Sequence, residues 1–188
     1  EANAIAQFLA PTLSLTGDDL WFESLDGAFL GDRSMQLHAF GDTITATYNS
    51  GPSTHHLAII DVVSEPPLQG VPVLRAILPQ NTNLPVATAA NGETLVRIRG
   101  ANIGNGFEVP AEVGRVEWFS MTDAELVPVG TASVPNAVDV LWLEHPFAVI
   151  STSDGFTLVE KTNDEDVAVR MRRNLQEEAL GAAISNDL

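Results

Sequence analysis

Strand-sized segments separated by turn residues run through most of this chain, and this pattern is the strongest constraint on its fold. Apolar and polar residues alternate in Thr43–Tyr48, Thr94–Arg99 and Val167–Arg172, which is the period of strands with one exposed face. Gly, Pro, Asn and Asp cluster between such segments, which recur about every dozen residues. The pattern therefore predicts an all-β protein made of antiparallel strands.

Other segments are apolar at both odd and even positions, which is typical of strands in the middle of a covered sheet. They are His56–Val63, Val71–Leu78, Val138–Leu143 and Phe147–Ile150. We predict an antiparallel β-sandwich or jelly-roll-like body, with a small β-propeller-like meander as the alternative. A strand–turn–strand unit begins at His56, Arg115 and Phe156, but the spacings of about 59 and 41 residues are too irregular to establish a repeat.

Two stretches resemble known β families. His56–Val62, followed by Pro66 and Pro67, resembles one blade of secreted β-propeller repeats. Leu95–Gly104 resembles the core strand of immunoglobulin-like TIG domains. Each resemblance covers about ten to twenty residues, and the two imply different architectures, so neither assigns a family.

Helical periodicity occurs only near the ends of the sequence. Residues 2–10 place Ile5, Phe8 and Leu9 at helical spacing before Pro11, which predicts a short N-terminal helix. Residues 174–184 predict a C-terminal helix with an apolar face made of Leu175, Ala179, Leu180, Ala183 and Ile184. We interpret residues 1–188 as a single β-rich domain with terminal arms at 1–11 and 173–188.

Charge and composition exclude several classes of function. The 188 residues include no cysteine, which excludes zinc ribbons, iron–sulfur clusters and thiol catalysis. A net charge of −16 disfavours broad binding to nucleic acid or to anionic membranes. No run approaches the roughly 20 apolar residues that span a bilayer, so we expect no membrane insertion. The first residue is Glu1, which favours a processed or trimmed chain.

Histidines and acids do not combine into a convincing catalytic or metal site. His55 and His56 are neighbours on a predicted strand and therefore point to opposite faces, so they cannot bind one metal ion. His55 and Asp61 share a face but lie about 20 Å apart along a strand. A third ligand would have to come from His38, from His145 or from an acid elsewhere in the chain. We predict no catalytic residues, no metal ion and no cofactor.

Three loops carry weak functional signals with simpler explanations. Gly100–Gly106 follows a strand, but no helix or lysine follows to complete a phosphate-binding loop. Ser151–Gly155 lacks the Gly-x-Ser-x-Gly motif and fits a hairpin turn. Asp164–Asp166 lacks calcium-loop spacing, which leaves weak divalent-cation binding as a minor alternative to a solvated turn.

Apolar residues in the terminal regions favour a role in assembly. The Gly- and Asp-rich stretch around Trp21, Phe22, Phe29 and Leu30 contains more large apolar side chains than a loop that contacts only water would need. Both terminal elements could also pack on a neighbouring subunit. The predicted interface residues are Phe8, Leu9, Trp21, Phe22, Phe29, Leu30, Leu175 and Leu180.

The leading hypothesis is therefore a non-enzymatic structural subunit with protein partners, in a homo- or hetero-oligomer. We expect it in a virus or phage particle or in an extracellular filament. The second hypothesis is a carbohydrate- or protein-binding β module of a secreted protein, in which Trp21, Tyr48, Trp118 and Trp142 stack on the ligand. The third is a hydrolase that uses paired carboxylates.

Overall fold

A computed structural model describes residues 36–51, 54–63, 70–80, 85–103, 108–122, 125–162 and 166–179. These residues form antiparallel β-strands and contain no helix. The all-β antiparallel prediction is therefore confirmed for the part of the chain that is described.

Twelve of the fourteen strands form three four-stranded sheets. Sheet 1 consists of β1 (Gln36–Phe40), β2 (Thr43–Gly51), β3 (Thr54–Val62) and β4 (Pro72–Gln80). Sheet 2 consists of β5 (Ala87–Asn91), β6 (Thr94–Arg99), β9 (Arg115–Met121) and β10 (Leu126–Ser133). Sheet 3 consists of β11 (Ala137–Glu144), β12 (Phe147–Thr152), β13 (Gly155–Lys161) and β14 (Val167–Asn174). A short ladder of β7 (Ala101–Asn102) and β8 (Glu108–Val109) lies between β6 and β9 in sequence.

Each large sheet is an up-and-down meander in which strands adjacent in the sheet are successive in the chain, apart from the β7–β8 insertion. The first strands of the three sheets, β1, β5 and β11, lie next to one another. The first hairpin of each sheet turns at Gly41, Gly92 and His145, so equivalent turns are 51 and 53 residues apart. The three sheets are therefore structurally similar units of similar length.

Sheet 2 lies between the other two sheets because both of its faces are apolar. On one face, Leu95 and Phe119 pack against Leu57 and Ile59 of sheet 1. The residues that join sheet 2 to sheet 3 form the larger cluster, which includes Val96, Ile98, Val116, Trp118, Val140, Leu143 and Ile150. Strand alternation produces this double burial, since neighbouring residues of β6 and β9 point to opposite faces.

The strands correspond closely to the alternating segments in the sequence, but two placements were wrong. Val71–Leu78 and Val138–Leu143 were predicted to lie in the middle of a covered sheet, whereas β4 and β11 are edge strands among the described strands. At β4, Val71 and Val73 are exposed. A segment that is apolar at both odd and even positions can be a central strand, or an edge strand that also contacts another surface, and the sequence does not distinguish the two.

The terminal predictions have different outcomes. The predicted N-terminal helix and the arm at 1–11 lie outside the described residues. At the other end, Arg173 and Asn174 belong to β14 rather than to an arm, and residues 175–179 are not helical. Pairing of Asn174 with Gly155 in sheet 3 outweighs the helical spacing of the apolar residues that follow. Residues 180–184 of that predicted helix lie outside the described part.

Candidate functional site

The first hairpin turns of the three sheets meet at one end of the protein. Asn91 Nδ2 donates a hydrogen bond to the carbonyl oxygen of Leu143 at 2.8 Å, which joins sheet 2 to sheet 3. The Gly92 backbone N–H donates to Thr43 Oγ1 at 3.0 Å, which joins sheet 2 to sheet 1. Gly41 has φ of +56°, and a Cβ added there would lie 2.6 Å from Asn91 Oδ1. These turns therefore form a closely packed junction.

A bidentate ion pair supports this junction from sheet 1. Arg75 Nε and Nη2 donate to the two carboxylate oxygens of Asp61, each at 2.6 Å. The third guanidinium nitrogen, Nη1, donates to the Gly92 carbonyl oxygen at 2.6 Å. Asp61 is thus held by an arginine, and this arrangement accounts for the carboxylate that sequence analysis considered together with His55 and His56.

A cleft of about 510 Å³ opens between sheets 2 and 3 at the same end. Its polar lining includes Glu93, Glu144, His145 and Lys161. Thr94 Oγ1 lies 3.5 Å from His145 Nδ1. Carboxylates and cationic groups are mixed in this lining, so the cleft has no single charge preference.

Two ion-pair groups lie farther along sheet 2. Glu117 is largely buried and accepts from Arg97 at 2.8 Å and from Arg115 at 2.9 Å. The Arg97 guanidinium also lies 4.6 Å from the centre of the Phe119 ring. Glu108 is paired with Arg99 at 2.5 Å. Burial of these two carboxylates is compensated by arginine, as buried charges require.

His38 links the first strands of sheets 1 and 3. Its Nε2 lies 2.5 Å from Asp139 Oδ1, and the ring stacks near Phe40 with 6.3 Å between ring centroids. Asp139 Oδ1 also accepts the backbone N–H of Val140 at 2.7 Å. Sequence analysis named His38 only as a distant candidate ligand, because a contact across 101 residues leaves no local signal.

The face of sheet 3 that points away from sheet 2 is apolar, and we call it the outer face. Cross-strand pairing aligns Trp142, Val149, Leu158 and Met171 in one row across the four strands. Phe147 follows on the same face. Met171 is 39% exposed and Trp142, Phe147 and Leu158 are half-buried, whereas Val149 in the same row is only 6% exposed. No described sheet packs on this face, as the other face carries the core shared with sheet 2.

Most of the predicted interface residues cannot be located. Phe8, Leu9, Trp21, Phe22, Phe29, Leu30 and Leu180 lie outside the described residues. Leu175 is described and is 53% exposed. It follows β14 directly, and its backbone N–H donates to the Asp154 carbonyl oxygen at 2.7 Å.

The two described tryptophans proposed as ligand-stacking groups lie in different sheets: one is buried and one is on the outer face. Trp118 is 1% exposed and belongs to the core between sheets 2 and 3, so its ring is not available to stack on a sugar. Trp142 lies on the outer face of sheet 3. Trp21 and the side chain of Tyr48 lie outside what is described. Sequence could not separate Trp118 from Trp142, since both occur in apolar strands.

The loops with weak functional signals can be assessed in part. Ser153 and Asp154 form the turn between β12 and β13, so the hairpin prediction for Ser151–Gly155 is confirmed. Gly104 to Phe107, and residues 163–165, lie outside the described residues. In the described ranges, no group of three or more His, Asp or Glu side chains could hold a metal ion.

Comparison with known proteins identifies no relative: no protein-family description and no curated protein sequence matches this chain. Across the residues whose structure is described, no helix is long and apolar enough to cross a membrane.

Proposed function

We propose that this chain is a non-enzymatic structural subunit that associates with a second copy of itself through the outer face of sheet 3. The observation that carries this proposal is the apolar row of Trp142, Val149, Leu158 and Met171 on a sheet face that no described sheet covers. An exposed apolar sheet face costs free energy in water, and burial against another subunit removes that cost.

Burial elsewhere favours a symmetric pairing of two outer faces. Ile44, Ala46, Ala58 and Ile60 lie on the face of sheet 1 that points away from sheet 2, and they are only 0–6% exposed. That face is already buried and is not free to receive sheet 3 of another copy in a head-to-tail contact. The contact that remains available is isologous: the outer face of one copy pairs with the outer face of the other.

Charges at the margins of the outer face suit a two-fold axis parallel to the strands. Glu144 on β11 is exposed and has no described ion pair, and Arg170 on the opposite edge strand β14 is half-exposed beside Glu160. Glu144 and Glu160 pair with Phe147 of β12 from its two neighbouring strands, so both lie at the same end of the sheet. A two-fold axis along the strands sets Glu144 of each copy against Arg170 of the other, which gives charge complementarity.

The propeller-like meander is the architecture that we favour over a sandwich or jelly roll. Three successive four-stranded meanders with adjacent first strands support it, because propeller blades have this topology. A jelly roll instead requires Greek-key connections between strands that are distant in sequence. A propeller-like body presents sheet faces at both ends of its stack, as the proposed association needs.

The absence of an enzymatic role is part of the proposal. The carboxylates with the lowest exposure, Glu108 and Glu117, are both paired with arginine, an arrangement suited to structure rather than to proton transfer. The burial of Trp118 removes one stacking group from the alternative of a carbohydrate-binding module. The proposed setting is a virus or phage particle or an extracellular filament.

Light scattering after size exclusion tests the association, over a concentration series of the full chain. We expect a dimer that Met171→Glu converts to a monomer, since the new charge would be buried in the interface. Val127→Glu is the matched control, because Val127 is a similarly exposed strand residue (45%) on sheet 2. A wild-type chain that stays monomeric up to about millimolar concentration, or equal loss of dimer in both variants, would contradict the proposal.

Salt provides a second readout. Two copies that each carry −16 repel, so association is expected to strengthen from about 50 to about 500 mM NaCl, as the screening length shortens. Dimers that weaken steadily over this range would indicate an interface dominated by ion pairs and would contradict an apolar interface.

A further inference from the structure

In the part of the chain that the structure describes, two arginines have no carboxylate partner, although the chain has a large excess of acids. Among the described residues, five arginines form ion pairs: Arg75, Arg97, Arg99, Arg115 and Arg170. Arg172 and Arg173 form none. With 25 acidic residues against 9 basic ones, two neighbouring arginines without an acid call for an explanation other than intramolecular pairing.

Both of these arginines line one cleft of about 270 Å³ at the end of sheet 3 opposite the first hairpin turns. They leave β14 on opposite faces, Arg172 beside Thr157 and Arg173 beside Phe156, and so reach the cleft from its two sides. Arg172 Nη2 donates to the Ser133 carbonyl oxygen at 2.9 Å, so β10 holds this guanidinium in place. Its remaining N–H groups are available to a ligand. The orientation of the side chain is therefore set before any ligand binds.

The acid in this cleft, Asp154, is bonded to neutral groups and not to the arginines, and two arginines against one carboxylate leave the lining with a net positive charge. Asp154 accepts from the Thr152 hydroxyl at 2.9 Å and from Asn174 Nδ2 at 2.9 Å, one bond to each carboxylate oxygen. These bonds fix Asp154 within the β12–β13 turn. The two guanidinium groups are therefore the main charged groups that are available to bind a ligand.

Apolar groups form the remainder of the wall. Pro135 and Phe156 line the cleft together with Asn136. A cavity of about 150 Å³ is enough to hold benzene, so about 270 Å³ accommodates a small ring bearing a charged group. The cleft therefore combines anion-binding donors with a surface for a flat apolar group.

We propose that this cleft binds a small organic oxyanion, a carboxylate or phosphate that Arg172 and Arg173 contact while its apolar part packs on Phe156 and Pro135. Guanidinium groups match the geometry of both oxyanions. This ligand site adjoins the proposed association surface, because Arg173 pairs with Phe156 on the same face as Met171 and Leu158. Binding is therefore measured on monomeric protein.

Titration of the full chain with sodium benzoate, followed by NMR chemical shifts or calorimetry, tests the site. Sodium chloride at equal ionic strength is the blank, and protein is kept dilute enough to remain monomeric. We expect saturable binding of benzoate with a Kd of about 1–10 mM. Arg173→Gln and Arg172→Gln should each weaken the affinity for benzoate at least tenfold. Arg173 has no described side-chain bond, so Arg173→Gln leaves the fold intact.

Lys161→Gln is the matched control, because Lys161 is a cation of the same sheet that lines the cleft at the other end and not this one. Benzoate affinity should be unchanged in this variant. An equal loss in Lys161→Gln, or no saturation in the wild-type chain up to about 50 mM benzoate, would overturn the proposal.

Other probes define the chemistry. Acetate has the carboxylate without a ring, and binding at least several-fold weaker than benzoate supports the role of Phe156 and Pro135. Acetate that binds as tightly as benzoate contradicts that role. If inorganic phosphate displaces benzoate from the wild-type chain, and Arg173→Gln binds phosphate more weakly, the arginines recognise the oxyanion group that the two ligands share. Failure of this displacement contradicts the inclusion of phosphate.

Discussion

Replacing Gly41 by alanine tests whether the junction of hairpin turns joins the three sheets into one body. Gly41 and Gly92 occupy equivalent turns and have nearly equal φ angles of +56° and +58°. A Cβ at Gly92 would meet nothing within 4 Å, whereas one at Gly41 would lie 2.6 Å from Asn91 Oδ1. Gly92→Ala is therefore a control that has the backbone strain without the contact.

The two effects can be estimated separately. Left-handed φ costs a non-glycine residue about 1–2 kcal/mol, and reduced freedom of the unfolded chain offsets part of it, so Gly92→Ala should lose about 1 kcal/mol of unfolding free energy. Gly41→Ala has the same strain and also forces the Asn91 amide to move. Loss of the 2.8 Å bond to the Leu143 carbonyl adds about 1–2 kcal/mol. The expected total is about 2–3 kcal/mol.

Urea unfolding followed by far-UV circular dichroism measures both values. Asn91→Ala supplies the background for a double-mutant cycle: with the amide gone, Gly41→Ala should cost no more than Gly92→Ala does. Equal destabilisation by the two glycine variants in the wild-type background would refute the reasoning. A Gly41→Ala cost that persists unchanged without Asn91 would refute it equally.

Three further changes probe other parts of the structure. Ile98→Ala removes a side chain that is 0% exposed between sheets 2 and 3, and should lower the unfolding free energy by about 2–5 kcal/mol in urea titrations; a loss under 1 kcal/mol would contradict that burial. Arg75→Met leaves Asp61 without its bidentate partner and should lower the unfolding free energy by about 1–3 kcal/mol. Asp61→Asn added to Arg75→Met should lower it little further, as measured by thermal or urea unfolding. Gly155→Ala would place Cβ 1.9 Å from the Arg173 carbonyl oxygen, so amide hydrogen exchange in β14 should accelerate relative to β12; unchanged exchange would disprove the close approach.

Local sequence patterns predicted the strands well but not their assembly into sheets. The alternation in Thr94–Arg99 identifies β6, and the turn residues identify the hairpins, because both depend on neighbours in sequence. The strand–turn–strand units at His56, Arg115 and Phe156 are the third and fourth strands of the three sheets, so they did contain the structural repeat. It was not assigned because the β7–β8 insertion in sheet 2 makes the spacings between these units unequal. The Gly41 and Gly92 turns, 51 residues apart, carried the signal that could have found it.

The candidate sites depended on contacts that one sequence does not encode locally. Arg172 and Arg173 belong to no motif in the sequence, and their lack of a described acid partner becomes visible only when the ion pairs of the described residues are placed. His38 and Asp139 are 101 residues apart, and neither lies in a recognisable motif. Residue burial likewise separates Trp118 from Trp142 only after the sheets have packed.

The position of sheet 2 has a consequence for the order in which the protein can fold during synthesis. Sheet 1 precedes sheet 2 in the chain and can pack on Leu95 and Phe119 as soon as β9 is complete. The opposite face, with Ile98 and Trp118, has no described partner until the ribosome has made sheet 3. During that interval the nascent chain presents an apolar sheet face to water, which is a surface that chaperones bind and that promotes aggregation. Delayed synthesis after residue 134 should therefore be more harmful to folding yield than an equal delay after residue 174.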